Sequence, residues 1–557
     1  MIGFPNESTS NGTTTYRTEP VFSDSGMVAA AHPLVSEAGA HALRQGGNAV
    51  DAAVAAGLTA SVVMPEMCGL GGDLFAIVHA PGANGAGKNV AFLGSGISPK
   101  GASIDQMRAA GDASGTQMPY RGPLAVGVPG MVDAYFSLLD HFGSRPFAGL
   151  AEPAIGHAKD GFTLTPAGAS HIATYADLLG SFPDSRAVFL PDGTPLAEGE
   201  TLRQSDLATT LQAIADGGRH VFYRGDVGQR IARYMAENGG AITLDDLSGH
   251  STTVEPPIET TYRGHTVYQT GLPTQGLILL EALNIVANTD LANLDLASAE
   301  AIHLLVEAKK LAYADRLGYA ADPAFSPTPL DTLLSASFGK RRFADIDPDR
   351  AATDVCPADL KHGDTTYLCV VDRDGMMVSL IQSVSAAFGA GVVAGDTGVV
   401  LNNRVGRGFS LQEGHPNIYE PGKKTMHTLN CYMIADPDGT PVLVGGTPGG
   451  DGQPQWNLQT ITGLIDGRLD VQAAIEQPRW TSWPGTDPSI IDNPFELRIE
   501  DRVANEVFAE LEGRGHNVRH IDEWASGGAV QVIARDPATG ALIGGSDPRA
   551  EGKSLGA

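Results

Sequence analysis

The apolar positions of the chain fall mainly into short continuous runs that polar or turn-forming residues interrupt. Residues 26–31, 368–371 and 74–79, the last of which ends on a histidine, are such runs. A run of this length predicts a strand buried on both faces. Residues 373–375 (Arg-Asp-Gly) predict a hairpin turn, because glycine tolerates the positive φ that such turns need. Residues 376–384 are then predicted to form the returning strand.

Helical spacing of apolar residues follows in other parts of the chain. It is clearest at residues 34–45, 202–215 and 299–317, and residues 150–350 are mostly helical by pattern. The most apolar stretch is 49–64, which is too short and too rich in alanine to cross a membrane. We expect a buried helix there.

The charge of the chain excludes two classes of partner. The net charge is −27 and the isoelectric point is near 4.8. Nucleic-acid binding needs clustered lysine and arginine that displace counterions, and an anionic membrane surface attracts basic rather than acidic proteins. We therefore expect no nucleic acid and no membrane as partners.

The cysteines and histidines indicate neither a disulfide framework nor a metal site. The four cysteines are far apart and form no Cys-x-x-Cys pair, which fits a reducing compartment. His516 and His520 are four residues apart but lack a third ligand, so we expect them at the surface. Residues 1–22 are predicted to be a flexible arm, and the absence of a basic start followed by an apolar core argues for a cytoplasmic protein.

Several separated motifs together resemble one family. Residues 364–375, Asp-Thr-Thr-Tyr-Leu-Cys-Val-Val-Asp-Arg-Asp-Gly, resemble the segment where γ-glutamyltranspeptidases cut themselves. Matches to the same family recur in order at residues 46–53, 69–72, 124–130 and 545–549. These enzymes are N-terminal-nucleophile hydrolases. The resemblance implies one compact α/β domain of four layers, with helices outside two stacked antiparallel sheets.

The resemblance also implies a catalytic set. The family cuts before the first threonine of the pair, here between Asp364 and Thr365, which would give a large subunit (23–364 after the arm) and a small subunit (365–557) as a heterodimer or as a dimer of heterodimers. The freed Thr365 would attack a carbonyl while its own α-amine takes the proton. An α-amine ordinarily has a pKa near ~8, so part of it is neutral at physiological pH.

Two further elements complete this expected machinery. Ser383 matches a second hydroxyl residue of the family, which hydrogen-bonds to the nucleophile. The family's Ser/Thr-Pro-Gly-Gly segment binds the oxyanion with its two glycines, which are Gly449 and Gly450 here. Backbone N–H groups can reach a developing oxyanion only where no side chain blocks the approach.

The substrate-binding positions depart from the family pattern. By resemblance the set is Ser385, Asn403, Arg404, Arg407, His427 and Thr428. Ser95 stands where the family has the arginine that binds the substrate α-carboxylate, although Arg121 or Arg404 could replace it. Arg404 and Arg407 occupy a segment where the family holds the substrate amine, and either could instead be ordinary surface charge.

The catalytic and substrate-binding positions together indicate an enzyme that acts on amides. The resemblance implies a γ-glutamyltransferase-like amide hydrolase or acyltransferase acting on small amides with γ-glutamyl or related acidic acyl groups. A glutaryl or cephalosporin acylase, or another small-amide hydrolase, is the alternative that the two arginines favour. A non-catalytic binding relative would be expected to lose Thr365 or the glycine pair, and both are present. No metal or organic cofactor is implied.

Overall fold

The computed structural model describes residues 1–5, 16–82, 87–353, 364–484 and 494–557. The strands in these ranges are β1 Val21–Ser23, β2 Gly26–Ala30, β3 Asp73–Ala80, β4 Lys88–Gly94, β5 Phe162–Thr163, β6 Thr201–Leu202, β7 Thr253–Glu255, β8 Ile258–Tyr262, β9 His265–Gln269, β10 Asp364–Asp372, β11 Met377–Ser385, β12 Tyr432–Ala435, β13 Pro441–Gly446, β14 Trp480–Trp483, β15 Glu496–Glu500, β16 Val518–Ile521, β17 Gln531–Arg535, β18 Leu542–Ser546 and β19 Lys553–Gly556.

The helices in the same ranges are α1 Pro33–Arg44, α2 Ala49–Val63, α3 Ile104–Ala110, α4 Met131–Phe142, α5 Phe147–Asp160, α6 Pro166–Thr174, α7 Ala176–Gly180, α8 Pro183–Phe189, α9 Ser205–Gly217, α10 Arg219–Tyr223, α11 Asp226–Glu237, α12 Leu244–Ser248, α13 Gly276–Val286, α14 Ala299–Tyr319, α15 Leu330–Leu333, α16 Ala336–Phe343, α17 Arg404–Gly408, α18 Gln453–Ile465, α19 Val471–Glu476 and α20 Asn505–Gly513.

Two seven-stranded antiparallel sheets form the centre of the molecule. The first sheet has the order β19-β2-β10-β11-β3-β4-β7, and the second has the order β1-β18-β17-β13-β12-β9-β8. Their facing sides enclose a core that includes Phe75, Tyr367, Ile381, Met433 and Ile533. The sheets are therefore stacked directly on each other.

Helices cover the outer side of each sheet. Helices α1, α2, α4, α5 and α9 share a core with the outer face of the first sheet, including Leu368 and Leu380. Helices α13, α14 and α18 do the same for the second sheet, around Val267 and Ile434. This confirms the four-layer arrangement, which buries both faces of both sheets.

Helix α2 is the buried helix expected at residues 49–64. Its first turn is closed by a capping box, in which Asn48 and Asp51 bond to each other's backbone N–H groups, and all fifteen residues of the helix are buried. It lies behind β10 and β11, where Gln382 of β11 donates from Nε2 to the carbonyl oxygen of Gly57 at 2.9 Å. The helix thus supports β10, which carries the threonine pair, and its neighbour β11.

The predicted hairpin is also confirmed. Strand β10 pairs with β11 on one side and with β2 on the other, so it lies inside the first sheet. Asp372 shapes the turn, because its Oδ1 accepts the N–H groups of Asp374 and Met376, both at 3.0 Å. The pairing is irregular between Asp364 and Thr366, which displaces Thr365 from the regular ladder.

Two local predictions differ from the structure. Residues 202–215 were expected to be one helix, but Leu202 belongs to β6, where it pairs with Phe162 of β5. The helix begins at Ser205. Parts of the expected arm at residues 1–22 belong to the body instead. Ile2 lies in the outer core of the second sheet, and β1 pairs with β18. Both differences arise from long-range pairing that local patterns do not show.

Candidate active site

Thr365 lies at the start of β10, beside the irregular pairing. Its side chain is 1% exposed, and its Oγ1 has no hydrogen-bond partner within the described part of the chain. Thr366 turns toward the helix layer, where its Oγ1 is 3.5 Å from Sδ of Met64. The first threonine therefore carries a buried hydroxyl that is available to a ligand, and the second does not.

Ser383 lies on β11, where the sequence predicted it. It is fully buried, and its Oγ accepts the backbone N–H of Ser385 at 2.7 Å. Ser383 and Asp73 are direct partners across β11 and β3. Since directly opposed residues point to the same face of a sheet, both side chains belong to one face.

Ser385 and the asparagine pair shape the loops that follow β11. Ser385 has φ +89 and its buried Oγ has no partner among the described residues. Asn403 accepts the N–H of Ala386 at 2.9 Å, whereas Asn402 donates to the carbonyl oxygens of Gly71 and Gly127 at 2.7 and 3.0 Å. Both asparagines thus hold the backbone of the surrounding loops in place by hydrogen bonds.

The glycine segment after β13 brings bare backbone close to Thr365. Gly449 has φ +126 and Gly450 has φ +53, conformations that side-chain-bearing residues rarely adopt. A Cβ at Gly449 would lie 2.2 Å from the ring of Trp456. Only glycine fits at position 449, so no side chain covers the backbone there, as an oxyanion site requires.

A cavity of about 640 Å³ opens beside Thr365 and Gly449. It lies on the β2 side of β10, since the residues that follow β2 line it, His32 among them. Nδ1 of His32 accepts the N–H of Leu34 at 3.2 Å, so the neutral ring carries its proton on Nε2. That buried Nε2 has no partner among the described residues, and burial lowers the pKa of His32 to about 4.

A buried charged cluster lies on the opposite, β11 side. Nε of Arg404 lies 3.2 Å from Oδ2 of Asp73, and Nε2 of His427 lies 3.3 Å from the same oxygen without the alignment of a hydrogen bond. Burial tends to raise the pKa of Asp73, but His427 and Arg404 outweigh it and hold that pKa below its usual value. Burial and Arg404 lower the pKa of His427 to about 4, so its ring is neutral at physiological pH.

Arg407 and Thr428 extend this cluster. Arg407 is 3% exposed, and its Nη1 donates to Oγ1 of Thr428 at 3.0 Å. Arg404 is equally buried, and its Nη2 has no partner in the described ranges. The alternative that the two arginines are surface charge is therefore wrong. They lie inside the molecule because both belong to the short helix α17, all of whose residues are buried.

Two residues considered as replacements for the family arginine behave differently. Arg121 donates from Nη1 to the carbonyl oxygens of Ala387, at 2.7 Å, and Gly389. It holds a loop. Ser95 is 1% exposed and its Oγ has no partner in the part of the chain that the structure describes. Arg404 is thus the guanidinium that remains available to a carboxylate.

The expectation of a surface position is wrong for His516. It is 7% exposed, and its Nε2 lies 2.8 Å from Nδ1 of His303, whose Nε2 bonds to the carbonyl oxygen of Asp347 at 2.8 Å. Glu307 lies close enough to share a metal ion with both rings, but it pairs with Lys310 at 2.7 Å. The donors and acceptors satisfy each other, so this cluster fits a hydrogen-bonded chain better than a metal site.

The cysteines show no pairing among the described residues. Cys68, Cys369 and Cys431 are buried free thiols, and Cys356 lies outside the described residues. Residues 354–363, which precede the expected cleavage position, also lie outside the described residues, and for Asp364 only the backbone is described.

Sequence reasoning missed Asp73. It closes a glycine turn, Gly-Leu-Gly-Gly-Asp, whose pattern indicates only a turn. A signal was available, because Asp73 directly precedes the apolar residues 74–78, and a charged residue that is buried with such a run needs a partner. The partners, Arg404 and His427, are more than three hundred residues away in sequence, so only the fold identifies them.

The stacked sheets, the helical outer layers and a threonine at the start of an internal strand define an N-terminal-nucleophile hydrolase, a class of enzymes made as proenzymes. The model of the gamma-glutamyltranspeptidase family matches residues 35–557. The chain belongs to the γ-glutamyltranspeptidase family. It is an amide hydrolase of that family, and its relatives include acylases.

The relatives cover the chain almost completely. The glutathione hydrolase-like YwrD proenzyme of Bacillus subtilis (strain 168) is 36% identical over 531 residues, which are 95% of this chain and 98% of the relative. The oxamate amidohydrolase proenzyme of Klebsiella pneumoniae is 35% identical over 541 residues, with coverage of 95% and 98%. The crystal structure of cephalosporin acylase from Bacillus halodurans matches with a TM-score of 0.89 and 32% identity, over 98% of both chains.

Within the described ranges, no helix combines the length and the apolar character needed to cross a membrane.

Proposed function

We propose that the protein hydrolyses amides whose acyl group ends in a carboxylate, through an acyl intermediate on Thr365. The observation that carries this proposal is the buried Oγ1 of Thr365, which has no partner among the described residues and lies beside a cavity that Gly449 also lines. A hydroxyl in that position can reach a carbonyl carbon whose oxygen faces bare backbone N–H groups.

The steps follow from these positions. A cut between Asp364 and Thr365 yields chains of 364 and 193 residues that stay together as a heterodimer. The new α-amine of Thr365 takes the proton of Oγ1 as that oxygen attacks the carbonyl carbon. The N–H groups of Gly449 and Gly450 bind the resulting oxyanion. The C–N bond then breaks, the amine leaves with the proton, and water hydrolyses the acyl-threonine ester.

The two sides of β10 suggest where the two halves of the substrate lie. The charged cluster of Arg404, Arg407 and His427 lies on the β11 side. Arg404 and His427 contact Asp73, and Asp73 lies directly opposite Ser383 of β11. The cavity with His32 lies on the β2 side. We place the acyl group in the charged cluster and the leaving amine in the cavity, where Nε2 of His32 can donate to an acceptor on that amine.

The charge of the cluster favours an acidic acyl group. Arg404 and Arg407 supply two positive charges and Asp73 supplies one negative charge, while His427 is neutral at physiological pH. Nη2 of Arg404 is buried without a partner among the described residues, and a carboxylate ligand there would offset the cost of burying the guanidinium. The relative named as an oxamate amidohydrolase is consistent with this, because oxamate carries a carboxylate directly beside its amide.

A γ-glutamyl group is the second candidate, and one observation favours it. Asp73 offers a carboxylate that an α-ammonium could approach, and the sequence alone had not placed an acidic group there. That carboxylate already faces Arg404 and His427, so an ammonium would also meet a guanidinium. We therefore rank it below an acyl group without the amine.

Three anilides separate these possibilities: glutaryl anilide, γ-glutamyl anilide, and valeryl anilide as the control that lacks the carboxylate. We expect kcat/KM for the glutaryl compound to equal or exceed that for the γ-glutamyl compound and to exceed that for the valeryl compound by about 10-fold or more, from a charge-assisted hydrogen bond. Mass spectrometry of the small chain should detect acyl-Thr365. A wide γ-glutamyl preference would establish the second candidate, and equal rates for all three would refute the carboxylate site.

A further inference from the structure

Helix α14 reaches the glycine segment through a buried ion pair. Arg316, near the end of this helix, is 2% exposed. Its Nη1 donates to Oδ1 of Asp451 at 2.6 Å and to Oε1 of Gln275 at 2.6 Å. Asp451 directly follows Gly450, and Tyr313 also donates to the backbone carbonyl oxygen of Asp451. One turn of α14 therefore fixes the residue behind the glycine pair.

Gln275 connects the same arginine to two loops at once. It is completely buried, and its Nε2 donates to the carbonyl oxygens of Gly450, at 2.9 Å, and of Thr428. Its backbone N–H donates to the carbonyl oxygen of His427 at 2.8 Å. Gly450 belongs to the oxyanion segment, whereas His427 and Thr428 belong to the charged cluster. A single side chain thus sets the distance between these two parts of the site.

The energetics favour a positional role over a stabilising one. A buried ion pair adds little net stability, because desolvation offsets much of the attraction between its charges. Nε of Arg316 has no partner among the described residues, so the arrangement is not even fully satisfied. Gly449 and Gly450 meanwhile have no side chains, so their backbone can adopt many conformations and contacts from neighbouring residues must fix one of them. The network supplies that constraint.

We propose that Arg316 and Gln275 are positioning residues, which hold the oxyanion segment at a fixed distance from the acyl-binding loop. This inference rests on the proposed function, because it requires Gly449 and Gly450 to bind the oxyanion. Neither residue touches the reacting atoms. Their effect on the reaction passes through the carbonyl oxygens of Gly450 and Thr428 and through Asp451.

The sharpest variant is Gln275→Glu, which keeps the volume and the acceptor for Arg316 but removes the donors to Gly450 and Thr428. Arg316→Lys is the milder second variant, because an ammonium keeps the charge but lacks the planar fork. The control is Arg342→Lys, since Arg342 of α16 pairs at 2.8 Å with Asp315, the residue of α14 that directly precedes Arg316.

The measurement is kcat and KM on glutaryl anilide with the processed two-chain enzyme, expressed per active site that forms acyl-Thr365 by mass spectrometry. We expect kcat per site to fall by about 100-fold in Gln275→Glu and about 10-fold in Arg316→Lys, with KM changed by less than about 3-fold, because misplacement by about 1 Å costs this much. A purely structural role would lower the number of active sites and leave kcat per site unchanged.

The outcomes distinguish this inference from the proposed function. If the wild-type enzyme forms no acyl-Thr365, the proposed mechanism fails and this inference fails with it. If the wild type acylates and both variants turn over within about twofold of it, or Arg342→Lys loses as much, then only the positioning role is refuted. Should Gln275→Glu fail to fold, Arg316→Lys alone decides.

Discussion

Nε of Arg404 lies 3.2 Å from Oδ2 of Asp73, and both side chains are at least nine-tenths buried. The Nε–H of the guanidinium is therefore held by a carboxylate, while Nη2 has no partner among the described residues. Burial lowers the pKa of Arg404 to about 10, and Asp73 limits that decrease. Even so, Arg404 remains charged throughout the physiological range, which makes it a permanent donor to an anion.

Removing this pair should change substrate choice more than turnover. In the double variant Arg404→Met/Asp73→Asn, neither partner is left as an uncompensated buried charge. We expect kcat/KM for glutaryl anilide to fall by about 10- to 100-fold, because a charge-assisted hydrogen bond is lost. The valeryl compound, which has no carboxylate, is the control and should change by less than about threefold. An equal loss of kcat/KM on both compounds would contradict the assignment of Arg404 as the residue that binds the carboxylate.

Replacing the nucleophile should block both processing and turnover. Thr365→Ala should remain a single chain of 557 residues and hydrolyse none of the anilides, as gel electrophoresis and a rate assay would show. Thr366→Val is the matched control, because that side chain packs toward Met64 and should leave processing intact. If Thr365→Ala is still cut at this bond, or the uncut wild type is active, then Thr365 is not the nucleophile.

A side chain in the glycine segment should remove the oxyanion site. Gly450→Val introduces a branched residue at φ +53, and we expect kcat to fall by about 10²–10³, the usual cost of one lost donor. Gly439→Val is the control, because Gly439 also has a positive φ, of +88, but lies in an open turn with no atom near its Cβ. Near-normal turnover in a folded, processed Gly450→Val would place the oxyanion elsewhere.

The buried histidines should make the fold sensitive to acid. Burial, with Lys310 nearby, lowers the pKa of His516 to about 3, and burial also lowers that of His303. Between about pH 3 and the ordinary value near 6.5, the unfolded chain binds more protons, so the free energy of unfolding decreases as the pH falls. The free energy of unfolding can be measured by denaturant titration at several pH values. His516→Gln should reduce its change with pH by up to about 1.4 kcal/mol per pH unit, the amount that corresponds to one proton. An unchanged slope below pH 6 would refute this contribution.

Much of the framework could be predicted, because it depends on local patterns. The buried strand at 368–371 follows from a continuous apolar run and the buried helix at 49–64 from the most apolar stretch of the chain, and the structure confirms both. The stacking of two sheets came only from family resemblance. Apolar runs give the length and burial of a strand but not its neighbours, as the pairing of β10 with β2 illustrates.

The site was less predictable, for a physical reason. Glycines 449 and 450 are expected at the oxyanion site from the family resemblance, because the Thr-Pro-Gly-Gly segment is recognisable in the sequence. The roles of Asp73, Gln275 and Arg316 could not, since each is defined by a partner on another element. Arg316 lies in an ordinary helical pattern, and only its contact with Asp451, 135 positions later, distinguishes it from any other helix arginine.

The strand order has a consequence for assembly. After a cut before Thr365, each sheet would contain strands from both product chains. Strands β2, β3 and β9 come before the cut, and they pair with β10, β11 and β12, respectively, which come after it. Before the cut, these strands are tethered and the chain folds as a unimolecular reaction. Afterwards, refolding would require two separate polypeptides to meet, so its rate would depend on concentration. Once the cut enzyme has been unfolded and diluted, its refolding would thus be too slow to restore the native structure, whereas the uncut chain would need no second polypeptide to refold.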